Sequence, residues 1–234
     1  MAEIRKWREK SLAVAVKEGT AVSARATSPH APSACLVFSP GAGGGMNQPY
    51  LVAVCEGLAA RGIATLRYQF PYMERGGKRP DPPALCHATV RSAVAAGRQR
   101  APMLPAFAGG KSFGGRMTSQ AQAGLPLPGV LGLAFLGFPL HPPKQPSDTR
   151  AEHLDRIEIP MLFLQGSRDE FADHTLLLPV MERLGARATL RSFEGADHSF
   201  HVPARSGRND REIRAELLAT LADWMKAVSA MRGS

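Results

Sequence analysis

Short apolar runs separated by longer amphipathic stretches set the pattern of this chain. Residues 34–38 form a continuous apolar run, as a strand buried on both faces requires. Residues 63–68, 103–108, 129–136, 161–165 and 188–193 read as further strands. Between them lie helical stretches at 84–100, 113–122 and 176–184, and a long amphipathic helix at 210–228 closes the chain. In that last helix Ile213, Leu217, Leu221, Trp224 and Val228 recur at helical spacing and mark a core face. A further helix follows Pro49, with Asn47 as its cap, Gly62 at its end and Leu51, Val54, Cys55 and Leu58 as its buried stripe. Residues 11–16 and 21–25 flank Lys17-Glu18-Gly19-Thr20 and read as an opening hairpin. Alternating strands and helices predict an α/β fold with a mostly parallel central sheet covered by helices on both faces.

At 234 residues the chain can bury one sizeable core, and residues 1–234 are expected to form a single domain. Hydrophobic residues make up 44%, as in ordinary globular proteins, and no apolar stretch is long enough to span a bilayer. Residues 1–10 carry the charge of a signal peptide's leading segment, but the apolar run at 12–16 is too short to follow it, so a cytoplasmic location is expected. Cys35, Cys55 and Cys86 lie in apolar segments without a C-x-x-C spacing and read as buried thiols. The net charge of +9 raises nucleic-acid binding, yet the bases are dispersed and mixed with acids, as in Arg208-Asn209-Asp210-Arg211-Glu212. A solvated basic surface is the reading, with no nucleic-acid partner and no metal site.

Gly110-Lys111-Ser112-Phe113-Gly114 matches G-x-S-x-G and stands where a strand hands over to a helix. A tight bend there exposes the serine hydroxyl, and the new helix turns its unpaired N–H groups toward it. The same residues end like a phosphate-binding G-x-x-x-x-G-K-[ST] loop, but Pro105 occupies the position of the required first glycine. A serine nucleophile needs a base, and the base needs an orienting group. His198 follows the strand at 188–193 in Asp197-His198-Ser199-Phe200, with His201 as a competitor. Asp169 follows the strand at 161–165, and Asp173 reads instead as a cap for the next helix. The order Ser112, Asp169, His198 is that of α/β-hydrolases. For the developing oxyanion, donors are available at the backbone N–H of Phe113 and in the turn Pro40-Gly41-Ala42-Gly43-Gly44, most directly at Ala42.

The chain resembles a small, dienelactone-hydrolase-like α/β-hydrolase over nearly its whole length. More narrowly it is similar to a branch of predicted hydrolases that share several of its segments. These are the Pro40–Gly44 turn, Arg67-Tyr68-Gln69-Phe70-Pro71-Tyr72-Met73, the Ser112 bend, Phe138-Pro139-Leu140-His141-Pro142-Pro143, Leu164-Gln165-Gly166-Ser167-Arg168-Asp169 and Asp197-His198-Ser199-Phe200. Pro40 stands where such enzymes commonly carry histidine, and Ser112 stands where dienelactone hydrolases carry cysteine, so dienelactone as substrate is not implied. Four prolines between 139 and 146 make the connection before the strand at 161–165 stiff, leaving minimal or no lid. Met73 and His141 can line an acyl or leaving-group pocket, with packing or turn roles as their alternatives.

The expectation is a serine hydrolase that cleaves a small-molecule ester or thioester through an acyl-enzyme, as a monomer or homodimer, without cofactor or membrane partner. A peptidase using the same residues, or a non-catalytic interaction protein that retained the fold, are the alternatives.

Overall fold

A computed structural model describes residues 7–17 and 19–231. Residues 1–6 of the charged N-terminal segment and Glu18 of the hairpin turn lie outside the described residues. The opening hairpin is longer than its alternating core implies: β1 (Trp7–Lys17) pairs antiparallel with β2 (Thr20–Pro29). Then follow β3 (Ala34–Ser39), α1 (Pro49–Ala59), β4 (Ile63–Tyr68), a single helical turn α2 (Pro71–Glu74) and α3 (Pro83–Arg100). The second half runs β5 (Ala106–Lys111), α4 (Phe113–Gly124), β6 (Val130–Leu136), β7 (Met161–Gly166), α5 (His174–Leu184), β8 (Ala188–Phe193) and α6 (Asp210–Ala230).

All eight strands form one sheet in the order β1-β2-β4-β3-β5-β6-β7-β8, parallel from β4 to β8. The six inner residues of β3, β4, β5 and β7 are buried throughout, which is why those strands lack a polar alternation. One apolar layer joins Val37, Leu66, Val90, Leu133 and Phe163 beneath α3, α4 and α5. The other joins Leu36, Phe38, Leu58, Leu164 and Leu221 beneath α1 and α6. In α6 Met225 is fully buried, while Trp224 is half-buried and sets its ring 5.6 Å from that of Phe107.

Two local expectations are corrected, and the connection before β7 gains a detail. Asn47 does not cap α1; the cap position is Gln48, without a side-chain cap bond, because Pro49 already supplies the first turn's geometry and needs no N–H partner. The strand before Ser112 begins at Ala106 rather than residue 103 and continues through both glycines to Lys111, while Met103 is exposed. The proline-rich connection contains a 3₁₀ helix, Thr149–Arg156, which buries Ala151, His153 and Leu154 against the body of the protein. It is too short and too closely packed to form a cap.

The winding direction reverses at β3. The chain moves outward from β3 to β4 and then crosses back to β5 on the other side. The loops leaving β3 and β5 therefore lie side by side at the C-terminal edge, the place where open α/β sheets present their crevice.

Candidate active site

β5 delivers Ser112 in a conformation that ordinary residues avoid. Its φ is 50° and its ψ −118°, and the Ser112 N–H donates to the Leu136 carbonyl at 3.0 Å. Holding a non-glycine residue there costs about 1–3 kcal/mol, which the surrounding packing must offset. The neighbours explain how the bend closes. A Cβ on Gly110 would lie 2.2 Å from Ser39 Oγ, and one on Gly114 would lie 2.4 Å from the Pro40 carbonyl. Glycines at these positions let the turn after β3 press directly against the bend.

That turn is braced from outside. The buried Arg67 guanidinium donates to the Met46 carbonyl at 3.1 Å, to Thr27 Oγ1 at 2.8 Å and to Glu9 Oε1 at 3.0 Å. A buried cation is tolerated when its donors are satisfied in this way. Tyr72 Oη donates to the Ala42 carbonyl at 2.8 Å, which fixes the peptide next to the glycines. The backbone N–H groups of Ala42 and Phe113 donate to no acceptor among the described residues.

Ser112, His198 and Asp169 come together although they are far apart in sequence. His198 Nε2 stands 2.8 Å from Ser112 Oγ, and His198 Nδ1 stands 2.7 Å from Asp169 Oδ2. The Asp169 side chain is 0% exposed and that of His198 17%. Asp169 Oδ2 also accepts from Gln165 Nε2, and Oδ1 accepts from the Phe171 N–H at 2.8 Å. A carboxylate held by three donors cannot rotate away from the imidazole. Gln165 is held in turn, since its Oε1 accepts from the Phe138 N–H at 2.9 Å. The end of β7 touches the histidine loop so closely that a Cβ on Gly166 would lie 2.4 Å from the Ala196 carbonyl.

Lys111, the variable residue of the serine motif, is buried beside this pair. Its ammonium donates to the His198 carbonyl and lies 5.5 Å from the Phe200 ring centroid. Burial pushes its pKa down to about 8, against the pull of Asp169 and Asp197. Nothing in the sequence marks Lys111 or Gln165 for these roles, though Lys111 lies within the G-x-S-x-G motif and Gln165 within Leu164-Gln165-Gly166-Ser167-Arg168-Asp169.

The remaining candidates separate cleanly. His201 is exposed and bonded to Asp210, with Nδ1 2.8 Å from Oδ2, and that carboxylate raises its pKa. Asp173 caps α5 by accepting from the Thr175 N–H at 2.8 Å. His141 takes the packing alternative: it is buried, its Nδ1 lies 2.8 Å from the Pro142 carbonyl, and its Nε2 accepts from the Asp173 N–H at 3.0 Å. With both ring nitrogens occupied it braces the segment carrying Phe171, whose ring lies 4.3 Å from that of His198. Met73 is half-buried and lines a cleft of about 350 Å³ beside the glycine turn, together with Ala42, Gln69, Gly77 and Lys78.

Residues 32–226 match the model of the alpha/beta hydrolase domain family. The chain belongs to that family. Among solved structures, a dienelactone hydrolase from Anabaena variabilis superposes with a TM-score of 0.74 at 18% identity, over 95% of this chain and 98% of the other. An alpha-beta serine hydrolase homologue from Coxiella burnetii gives 0.71 at 18% identity, over 91% and 97%. A Xanthomonas campestris serine hydrolase described as lacking a lid gives 0.69 at 18% identity, over 93% and 95%. At this identity the likenesses establish the fold. This α/β-hydrolase chain follows that lidless architecture, and among the described residues no helix is long and apolar enough to cross a membrane.

Proposed function

We propose that this α/β-hydrolase is a serine hydrolase that cleaves a small carboxylic ester, or thioester, through an acyl-enzyme. The observation that carries the reading is the continuous line from Ser112 Oγ to His198 Nε2 at 2.8 Å and from His198 Nδ1 to the buried Asp169 at 2.7 Å.

The chemistry follows from those contacts. Ser112 Oγ attacks the ester carbonyl carbon while its proton passes to His198 Nε2. Asp169 holds the other ring nitrogen in its protonated form and stabilises the imidazolium. The Ala42 and Phe113 N–H groups, which have no other acceptor among the described residues, receive the negative charge on the former carbonyl oxygen. Collapse expels the alcohol, which takes its proton from His198. Water then repeats the sequence: His198 accepts its proton, the hydroxyl bonds to the acyl carbon, and the Ser112 ester breaks with return of the proton to Oγ.

A second buried pair, Ser119 Oγ and His153 Nε2 at 2.7 Å, lacks the features of a reacting site. Ser119 sits inside α4 with its hydroxyl turned back to the Arg116 carbonyl at 2.9 Å. Burial, with Arg156, Arg116 and His87 nearby, pushes the His153 pKa down to about 4, and no carboxylate contributes to it. Such an imidazole is too weak a base for neutral pH.

The test is turnover of 4-nitrophenyl acetate by wild-type protein and Ser112→Ala. The substitution should lower kcat by roughly 10⁴–10⁶, since no other group can carry the acyl chain. Near-native turnover by the variant overturns the assignment.

A further inference from the structure

The turn after β3 has little of its own to hold it in shape. Residues 41 and 43–45 are glycines, and inside the turn the Gly44 N–H reaches the Gly41 carbonyl only at 3.4 Å. Glycine backbone left to itself samples many conformations. Yet the Ala42 N–H must point where the Phe113 N–H points if both are to receive one oxyanion. Donors act on a developing charge only when they are fixed beforehand. The turn lies against the nucleophile, since a Cβ on Gly41 would stand 3.8 Å from the Ser112 Cβ.

One side chain outside the turn spans both proposed donors. Tyr72 is buried in the single turn α2. Its hydroxyl donates to the Ala42 carbonyl at 2.8 Å, and its ring meets the Phe113 ring edge-on, with centroids 6.5 Å apart and planes at 84°. Phe70 completes the group, stacked on Tyr72 at 6.3 Å and edge-on to Phe113 at 5.4 Å. The bond from Tyr72 fixes the peptide plane that follows Ala42. Ala42 itself, unlike its glycine neighbours, has few allowed φ/ψ pairs, so fixing that plane also directs its own N–H. Phenylalanine would keep both ring contacts of Tyr72; only the hydroxyl reaches Ala42.

Tyr72 is held in turn at its backbone. Its N–H donates to Asp81 Oδ2 at 2.7 Å, and its carbonyl accepts from the Gly77 N–H at 2.8 Å. The Asp81 side chain is 6% exposed and takes the Arg75 guanidinium on its other oxygen. Cys86 Sγ, on α3, donates to the Asp81 carbonyl at 3.4 Å. A continuous line of contacts therefore runs from α3 through Asp81 and Tyr72 to the carbonyl of Ala42.

We propose that Tyr72 is a positioning residue for the oxyanion donors, setting the Ala42 N–H relative to that of Phe113. This inference rests on the serine-hydrolase reading and deepens it. Tyr72 acts through the Ala42 peptide rather than on the substrate, so its hydroxyl matters more to the tetrahedral transition state than to the bound ester.

The experiment follows single-turnover release of 4-nitrophenol from 4-nitrophenyl acetate, with protein in excess. Tyr72→Phe should slow the limiting acylation rate about 10- to 100-fold and leave the half-saturating protein concentration within about twofold. A trifluoromethyl ketone, which forms a tetrahedral adduct with an activated serine, should bind Tyr72→Phe more weakly by the same factor. An unchanged acylation rate, a change confined to half-saturation, or an adduct affinity that stays at the wild-type value overturns the proposal. Ser112→Ala, measured alongside, keeps the two readings apart. If it is inactive while Tyr72→Phe acylates at the wild-type rate, the hydrolase reading stands and Tyr72 has no part in it. A wild-type protein that releases no 4-nitrophenol, or Ser112→Ala that releases it at the wild-type rate, overturns the hydrolase reading and this inference with it.

Discussion

The Lys111 ammonium donates to the main-chain carbonyl of His198, so the strand that presents Ser112 also tethers the loop that carries His198. The two residues are 87 positions apart, and the contact ties the end of β5 to the loop after β8. The same ammonium lies close to Gly137, where an added Cβ would stand 2.8 Å from Nζ.

Replacing this buried charge with an apolar side chain of similar shape separates the tether from its cost. Lys111→Met should lower kcat/KM about tenfold by loosening His198, while stability at pH 7 stays within about 1 kcal/mol. The pH dependence gives the sign. With a pKa of about 8 in the fold against 10.5 in the free side chain, the unfolded chain holds more protons between those values. Stability therefore rises with pH across that window, by on the order of 3 kcal/mol in all, and Lys111→Met should flatten the rise. Urea unfolding from pH 7 to 10.5 measures it, and an unchanged slope in the variant removes Lys111 as its source.

His153 works at the other end of the scale. Its pKa is about 4 in the fold against 6.5 for the free side chain, so the fold holds it neutral. Its contribution is intact above pH 6.5 and lost as pH falls through 4, by about 3 kcal/mol. His153→Gln, which can keep a hydrogen bond to Ser119, should give a shallower loss of stability between pH 6.5 and 4.5. An equally steep loss in variant and wild type would place the acid sensitivity elsewhere.

The absence of a cap among the described residues sets an expectation for acyl length. The connection between β6 and β7 buries Ala151 and Leu154 in the main core, and the cleft beside Met73 is only about 350 Å³. Each buried CH₂ is worth about 0.8 kcal/mol, so a chain that finds no cover gains nothing from added carbons. A series of 4-nitrophenyl esters from acetyl to palmitoyl should peak in kcat/KM at the short end. A steady rise toward the longest monomeric substrates would reveal an apolar channel.

Much of the framework was legible because parallel strands are buried on both faces and therefore read as apolar runs. β8 and the limits of β4 were found to the residue, and the strand-end positions of Ser112, Asp169 and His198 followed from chain order. What the sequence hid was short or made by distant contacts. α2 spans only Pro71–Glu74, and the 3₁₀ helix at Thr149–Arg156 follows a proline cluster, so neither leaves a long periodic signal. Gln165 lies within a wholly buried strand, and its bond to Asp169 depends on which way its side chain turns. His141 could have served substrate or packing by composition, and its two backbone partners decide for packing.

Covalent labelling reads out whether Ser112 is an activated nucleophile without any choice of substrate. A small fluorophosphonate is incubated with the folded protein at pH 7.5, and the product is read by intact and peptide mass spectrometry. A single adduct is expected on Ser112, absent in Ser112→Ala and formed at least a hundredfold more slowly in His198→Ala. No adduct on the folded wild-type protein, or an adduct on Ser119 instead, would contradict it.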